Sequence, residues 1–176
     1  MCTGNICRSP SAEVVLRSLL RDAGLADRVR VDSAGTGPWH AGKDMDPRAR
    51  QALTRHGYQP PPHVARQFQP ADFADRDLVI ALDAGHLARL EQLALLAEHS
   101  DDAFTSIVLL RSHDPAAPAE LDVPDPYYGG EREFEDALGQ IERACAGLLQ
   151  ALRAGLDGAG APSAAVAATI TDGGGH

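Results

Sequence analysis

Lysine is almost absent from this 176-residue chain, with Lys43 the only one, and the 16 Lys and Arg together face 25 Asp and Glu for a formal charge of -9. That deficit excludes a broad electrostatic grip on nucleic acid or on an acidic membrane surface and leaves room only for a local basic pocket. Cysteine is scarce too. Cys2, Cys7 and Cys145 are too few and too unevenly placed to build a disulfide framework. No run of about 18 apolar residues offers a membrane span. The N-terminus lacks the charged and apolar regions of a signal peptide, so the expectation is a soluble, cytoplasmic protein. What remains, 44% apolar and 23% charged, suits one globular domain with a real core. No internal repeat is visible.

Short β-rich runs alternate with longer helical patterns, the signature of a parallel sheet covered by helices. Residues 28–35 (RVRVDSAG), 77–83 (DLVIALD) and 105–110 (TSIVLL) read as strands. Ala12, Val15, Leu16, Leu19 and Leu20 share one face of a first helix, with Ser9 as its N-cap, Pro10 at its first position and Gly24 as its stop. Asp46 and Pro47 open a second helix that ends near Gly57, and Leu87, Leu90 and Ala94 mark a third. Phe134, Leu138, Ile141, Cys145, Leu148 and Leu152 form a long stripe on the last, whose acidic start complements the helix dipole. The domain is expected to span 1–156, followed by a disordered Gly/Ala-rich tail over 157–176.

The chain opens MCTGNICRSPSAE, directly before the first helix. Gly4 takes positive φ without steric cost and Asn5 tolerates it, so this loop can curl its N–H groups toward one point beside the free N–H groups of the helix. Such a cradle binds a tetrahedral oxyanion. Arg8 adds a planar fork for two phosphate oxygens, and the same positive surroundings favour the thiolate of Cys2.

Taken as the string Cys2, Thr3, Gly4, Asn5, Ile6, Cys7, Arg8, Ser9 and Pro10, the loop resembles the active-site loop of the low-molecular-weight protein tyrosine phosphatases. The PDPYYGG stretch at 124–130 resembles that family's general-acid loop. By itself it is an ordinary Asp-Pro turn; physically, Pro126 biases Asp125 toward an extended backbone and so holds its carboxyl in one direction. The resemblance covers about residues 1–155 and implies an α/β single-domain parallel sheet flanked by helices. It implies Cys2 as nucleophile, Arg8 as phosphate ligand and Asp125 as general acid. Thr3, Gly4, Asn5, Ile6, Cys7, Ser9, Trp39, Tyr127 and Tyr128 would bind substrate, and Ser9 would also hydrogen-bond the Cys2 thiolate. Ser33 and His63 would support Asn5. Taken singly, Ser33 and His63 read equally as turn residues, Trp39 as part of a surface loop, either tyrosine as core, and Cys7 as a small buried side chain or a trap for oxidised Cys2.

The implied reaction is hydrolysis of phosphotyrosine through a cysteinyl-phosphate, with no metal or organic cofactor. Its partners would be tyrosine-phosphorylated proteins, and the protein a monomer or weak dimer. Three alternatives have discriminators. Arginine phosphatases carry threonine where this chain has Ile6. Arsenate reductases need further relay cysteines, and only Cys145 is left. A dead phosphoprotein-binding module would lack the thiol, arginine or acid. In the family the loop follows the first strand of a four-stranded sheet, between the strands placed here at 28–32 and 77–83. Only Met1 precedes the loop, so the expectation is a missing central strand, a start codon upstream of Met1, and a product from Met1 that is aggregation-prone or nearly inactive, with an N-terminally truncated inactive member of the family as an alternative function.

Overall fold

Helix α1 (Arg8–Asp22) starts earlier than the Ser9 cap expected from sequence, with Cys7 at the cap position. Ser9 is drawn elsewhere: its hydroxyl lies 3.0 Å from Cys2 Sγ. Ser11 Oγ donates to the Cys7 carbonyl at 2.8 Å instead. Pro10 still sits in the first turn, where its missing N–H costs no helical bond. The helix closes at Ala23, and Gly24 takes φ of 69°. Helix α2 (Pro47–Arg55) follows its signals closely, since Asp46 accepts from Arg48 N at 2.8 Å and Pro47 leads. The computed structural model describes residues 1–97 and 105–158.

Strand β1 (Leu78–Ala81) pairs in parallel with β2 (Ser106–Leu109), Leu78 opposite Ser106 and Ala81 opposite Leu109. Both are shorter than the expected 77–83 and 105–110. Asp83 leaves the strand to cap helix α3 (Ala84–Ala94), accepting from His86 N at 2.8 Å, and Leu110 enters a 3-10 turn at Leu110–His113. Alternation along β1 serves two cores. Leu78 and Ile80 pack against the cluster built on α1, α2 and helix α4 (Glu131–Gly158), while Val79 and Ala81 meet Phe68, Phe73, Leu90 and Leu93. The apolar stripe of α4 is buried along its whole length. That helix runs to Gly158, past the boundary expected at Leu156; the rest of the expected tail, 159–176, lies outside the described residues.

The strand expected over 28–35 does not form. Gly35 is bridged in parallel to Cys2 on one side and Gln67 on the other, and the regular sheet among the described residues has two strands rather than four. Met1 and Cys2 fill the central position, with the Met1 amine donating to Ile80 O at 2.6 Å, Leu82 N to Met1 O at 3.1 Å and Thr36 N to Cys2 O at 2.8 Å. The layer therefore runs Gln67, Gly35, Met1–Cys2, β1, β2, an α/β arrangement with helices on both faces. Beyond Met1, a cavity of about 120 Å³ separates 29–34 from β1, lined by Leu16, Val31, Ile80, Leu148 and Leu152 among others. A strand exists through its ladder partners, and 30–34 has none there. Burial pulls the Met1 amine down to about 6.

Candidate active site

The loop between Met1 and α1 is held from below. Asn5 is fully buried and is the one non-glycine residue with positive φ, 57°, among those described. Its side-chain amide donates to Ser33 Oγ at 2.8 Å and Ser9 Oγ at 2.9 Å, and its Oδ1 accepts from Arg66 N at 3.0 Å. His63 Nε2 lies 2.7 Å from the Asn5 carbonyl oxygen. These bonds stabilise a conformation that an L-residue otherwise avoids. Gly35 lies directly behind: a Cβ there would stand 2.7 Å from Thr3 O and 3.2 Å from Asn5 N. With the carbonyls of Cys2 and Thr3 tied to Thr36 N and Gly37 N, the loop is fixed. Among the described residues, nothing accepts from the N–H groups of Thr3, Gly4, Asn5, Ile6 and Cys7. Five consecutive donors stand unspent beside a thiol.

Arg8 is 4% exposed and spans the remaining groups. Its Nη1 donates to Asp83 Oδ2 at 2.7 Å and to the Val123 carbonyl at 2.8 Å, and its Nη2 to Asp125 Oδ2 at 2.9 Å. Burial of Asp83 opposes ionisation, but the His86 imidazole and backbone amide, with Arg8 beside them, hold its carboxyl well below the usual carboxylate range. Asp125 lies between Pro124 and the buried Pro126, and its Oδ1 accepts from Tyr127 N at 3.2 Å. Burial first, then the negative charge of Asp46, pushes the Cys7 thiol up. All three cysteines are free.

A pocket of about 290 Å³ brings together Cys2, Thr3, Gly4, Ile6, Cys7, Arg8, Trp39, Asp125, Tyr127 and Tyr128, all expected from sequence, and adds His40. Asn5 and Ser9 are not on its wall. They are buried behind the loop, in the supporting layer with Ser33 and His63. Trp39 is 68% and Tyr128 94% exposed, at the rim, and the Tyr127 and Tyr128 rings meet edge to face at 5.0 Å.

Sequence reasoning missed Asp83, His86 and Arg48. Arg48 donates to the carbonyls of Tyr127 and Gly129, both at 3.0 Å, and lies 4.6 Å over the Phe134 ring, so α2 holds the acid loop. Its one sequence signal is its place two residues after the Asp46 cap. Asp83 ends an apolar run, which is a common position for a ligand-facing group in a parallel sheet.

A phosphate ester entering this pocket meets unspent amides, a guanidinium, a sulfur and a carboxyl group, which together with the α/β layer define a hydrolase of phosphoric monoesters. The model of the family described as low molecular weight phosphotyrosine protein phosphatase matches residues 1–157. The chain belongs to that family. It is 52% identical over 159 residues, 90% of this chain and 94% of the other, to a low molecular weight protein-tyrosine-phosphatase of Streptomyces coelicolor. Among solved structures, a protein tyrosine phosphatase from Entamoeba histolytica superposes with a TM-score of 0.79 at 32% identity, covering 88% of this chain and 95% of that one. A Drosophila arginine phosphatase gives 0.77 at 34% identity, covering 86% and 94%.

Proposed function

We propose that the protein hydrolyses phosphotyrosine in phosphorylated proteins through a cysteinyl-phosphate. Cys2 Sγ attacks phosphorus while the amides of residues 3–7 and the Arg8 fork hold the non-bridging oxygens. The ester P–O bond breaks as Asp125 passes its proton to the departing phenolate oxygen. Asp125, now ionised, then takes a proton from water as that water's oxygen attacks phosphorus; the S–P bond breaks, inorganic phosphate leaves and the thiolate is restored.

The observation that carries the reading is the meeting of Cys2, Arg8 and Asp125 on one pocket with Thr3, Gly4, Ile6 and Cys7, whose N–H groups stand unspent. The aromatic rim of Trp39, Tyr127 and Tyr128 favours a flat ring on the leaving side. Ile6, also on the wall, adds bulk where a threonine would favour phosphoarginine. Two assays test the proposal. The protein should turn over a phosphotyrosine peptide and leave phosphoarginine largely intact, and the opposite preference would replace the substrate. Cys2→Ser should abolish turnover while vanadate still binds, because Arg8 and the amides survive; retained turnover would remove Cys2 from its role.

A further inference from the structure

His86 takes no part in the scheme above, yet it is 5% exposed, a burial that an imidazole adopts at a cost unless its nitrogens are matched. Its Nε2 lies 2.8 Å from Thr3 Oγ1, in contact with a residue 83 positions earlier in the chain. Its Nδ1 lies 2.8 Å from Asp83 Oδ1 as an ion-pair contact outside hydrogen-bond geometry, and the same oxygen accepts the His86 backbone N–H at 2.8 Å. The other Asp83 oxygen accepts from Arg8. The path Thr3, His86, Asp83, Arg8 thus joins the first residue after the nucleophile to the last residue of the loop through the first turn of α3. Nothing else described ties the Thr3 side chain down.

The first peptide of the cradle runs from Cys2 to Thr3. Its carbonyl is fixed by Thr36 N at 2.8 Å, and its N–H, on Thr3, is one of the unspent donors beside the sulfur. His86 adds a side-chain hold on Thr3 to the backbone bonds of the Cys2 and Thr3 carbonyls, and misplacement on the scale of 1 Å in a catalytic site costs about 100-fold. Asp83, for its part, must stay in place as Arg8 engages phosphate and releases Asp125. It is held by the helix cap and by the imidazole.

We propose that His86 is a positioning residue for the oxyanion cradle: by holding the Thr3 hydroxyl and the Asp83 carboxylate at once, it aims the first loop amide and the Arg8 guanidinium at the same phosphoryl group. The inference rests on the phosphatase reading above. It differs from a plain structural tie in what it moves. A tie that only secures α3 would lower the melting temperature and leave ligand affinity alone.

The test uses the full chain and four variants, His86→Ala, His86→Gln, Thr3→Val and the His86→Ala/Thr3→Val pair. The measurements are vanadate affinity, kcat and KM on an aryl phosphate, and melting temperature. His86→Ala and Thr3→Val should each weaken vanadate binding and kcat/KM by roughly 10-fold to 100-fold, and the pair should lose little more than either alone, since both remove one contact. His86→Gln, whose terminal amide reaches the place of Nε2, should recover most of the vanadate affinity. The inference is overturned if His86→Ala lowers the melting temperature but keeps vanadate affinity and kcat/KM within about twofold of the parent, or if the two single losses simply add. Should His86→Ala fail to fold, Thr3→Val decides alone, because it is a near-isosteric change on an exposed residue. If the parent protein turns over no phosphate monoester, the phosphatase reading fails, and the vanadate affinities still decide the role of His86.

Discussion

Arg8 and Asp125 are bound to one another, Nη2 to Oδ2 at 2.9 Å, across 117 residues of chain. The residue proposed to hold phosphate and the residue proposed to protonate the leaving group therefore occupy each other until a ligand separates them. Asp125→Ala should act in two directions. Turnover of phosphotyrosine should fall by about 100-fold to 10,000-fold, with a much smaller loss on an aryl phosphate whose phenol leaves without help. Inorganic phosphate should inhibit more tightly, because Arg8 has lost a competitor. Steady-state kinetics on the two substrates and phosphate inhibition constants check both; equal losses on the two substrates would move the acid elsewhere.

Gly35 supports the loop by having no side chain. Its N–H donates to Arg66 O and its carbonyl accepts from Phe68 N, both at 2.8 Å, so the backbone cannot retreat from the 2.7 Å contact a Cβ would make with Thr3 O. Gly35→Ala is expected to cost roughly 1–3 kcal/mol, a fall in Tm of several degrees, and to lower kcat/KM further than that loss of stability explains. Thermal melts and kinetics below the melting range separate the two effects.

The helices and the phosphate loop were legible because their determinants are local. Asp46–Pro47, Gly57 and the stripe from Phe134 to Leu152 act within one or two turns, and the loop from Cys2 to Arg8 is contiguous. The Arg8–Asp83–His86–Thr3 connection has no local signature: Asp83 reads as the end of an apolar run, and His86 finds its partner 83 residues away. The error at 28–35 has a different origin. The alternation Val29, Arg30, Val31, Asp32 describes a segment suited to pleating, but a strand is a relation between neighbours. The family resemblance supplied Asp125, which the residues alone left as a turn.

His56 links α2 to α4, with Nε2 2.7 Å from Glu135 and Nδ1 3.0 Å from Glu142. The hydrogen bond to Glu142, ahead of that to Glu135, outweighs partial burial and raises its pKa above the usual value near 6.5. A raised folded-state pKa stabilises the fold below about 6.5, and the contribution is lost as pH rises through the folded value. His56→Gln should therefore lower the melting temperature more at pH 6 than at pH 9. Melts of both proteins across that range check it; a constant difference would mean that the charge plays no part.

The space beside Met1 invites filling. The Met1 amine already donates across to the Ile80 carbonyl of β1, so a chain lengthened ahead of Met1 by a short Val- and Ile-rich run should continue parallel to β1 into the cavity. Each large side chain buried there contributes roughly 1.5–3 kcal/mol, and the melting temperature should rise by several degrees. The extension also replaces the buried amine. Because the unfolded chain takes up a proton there below about 8 and the folded chain only below about 6, the Met1 form should lose stability as pH falls through that window, and the lengthened form should lose less. An extended chain that melts no higher would show that the cavity admits no strand.

Trp39 is the only tryptophan in the chain, and it stands 68% exposed on the rim of the pocket that holds Cys2. The protein thus carries an optical probe at the one place where an arriving ligand changes the surroundings of an indole, undiluted by emission from the core. Oxyanion and phosphopeptide titrations can be followed on the unlabelled protein, and the Trp39 signal separates a ligand that reaches the rim from one that lodges only in the loop beneath it.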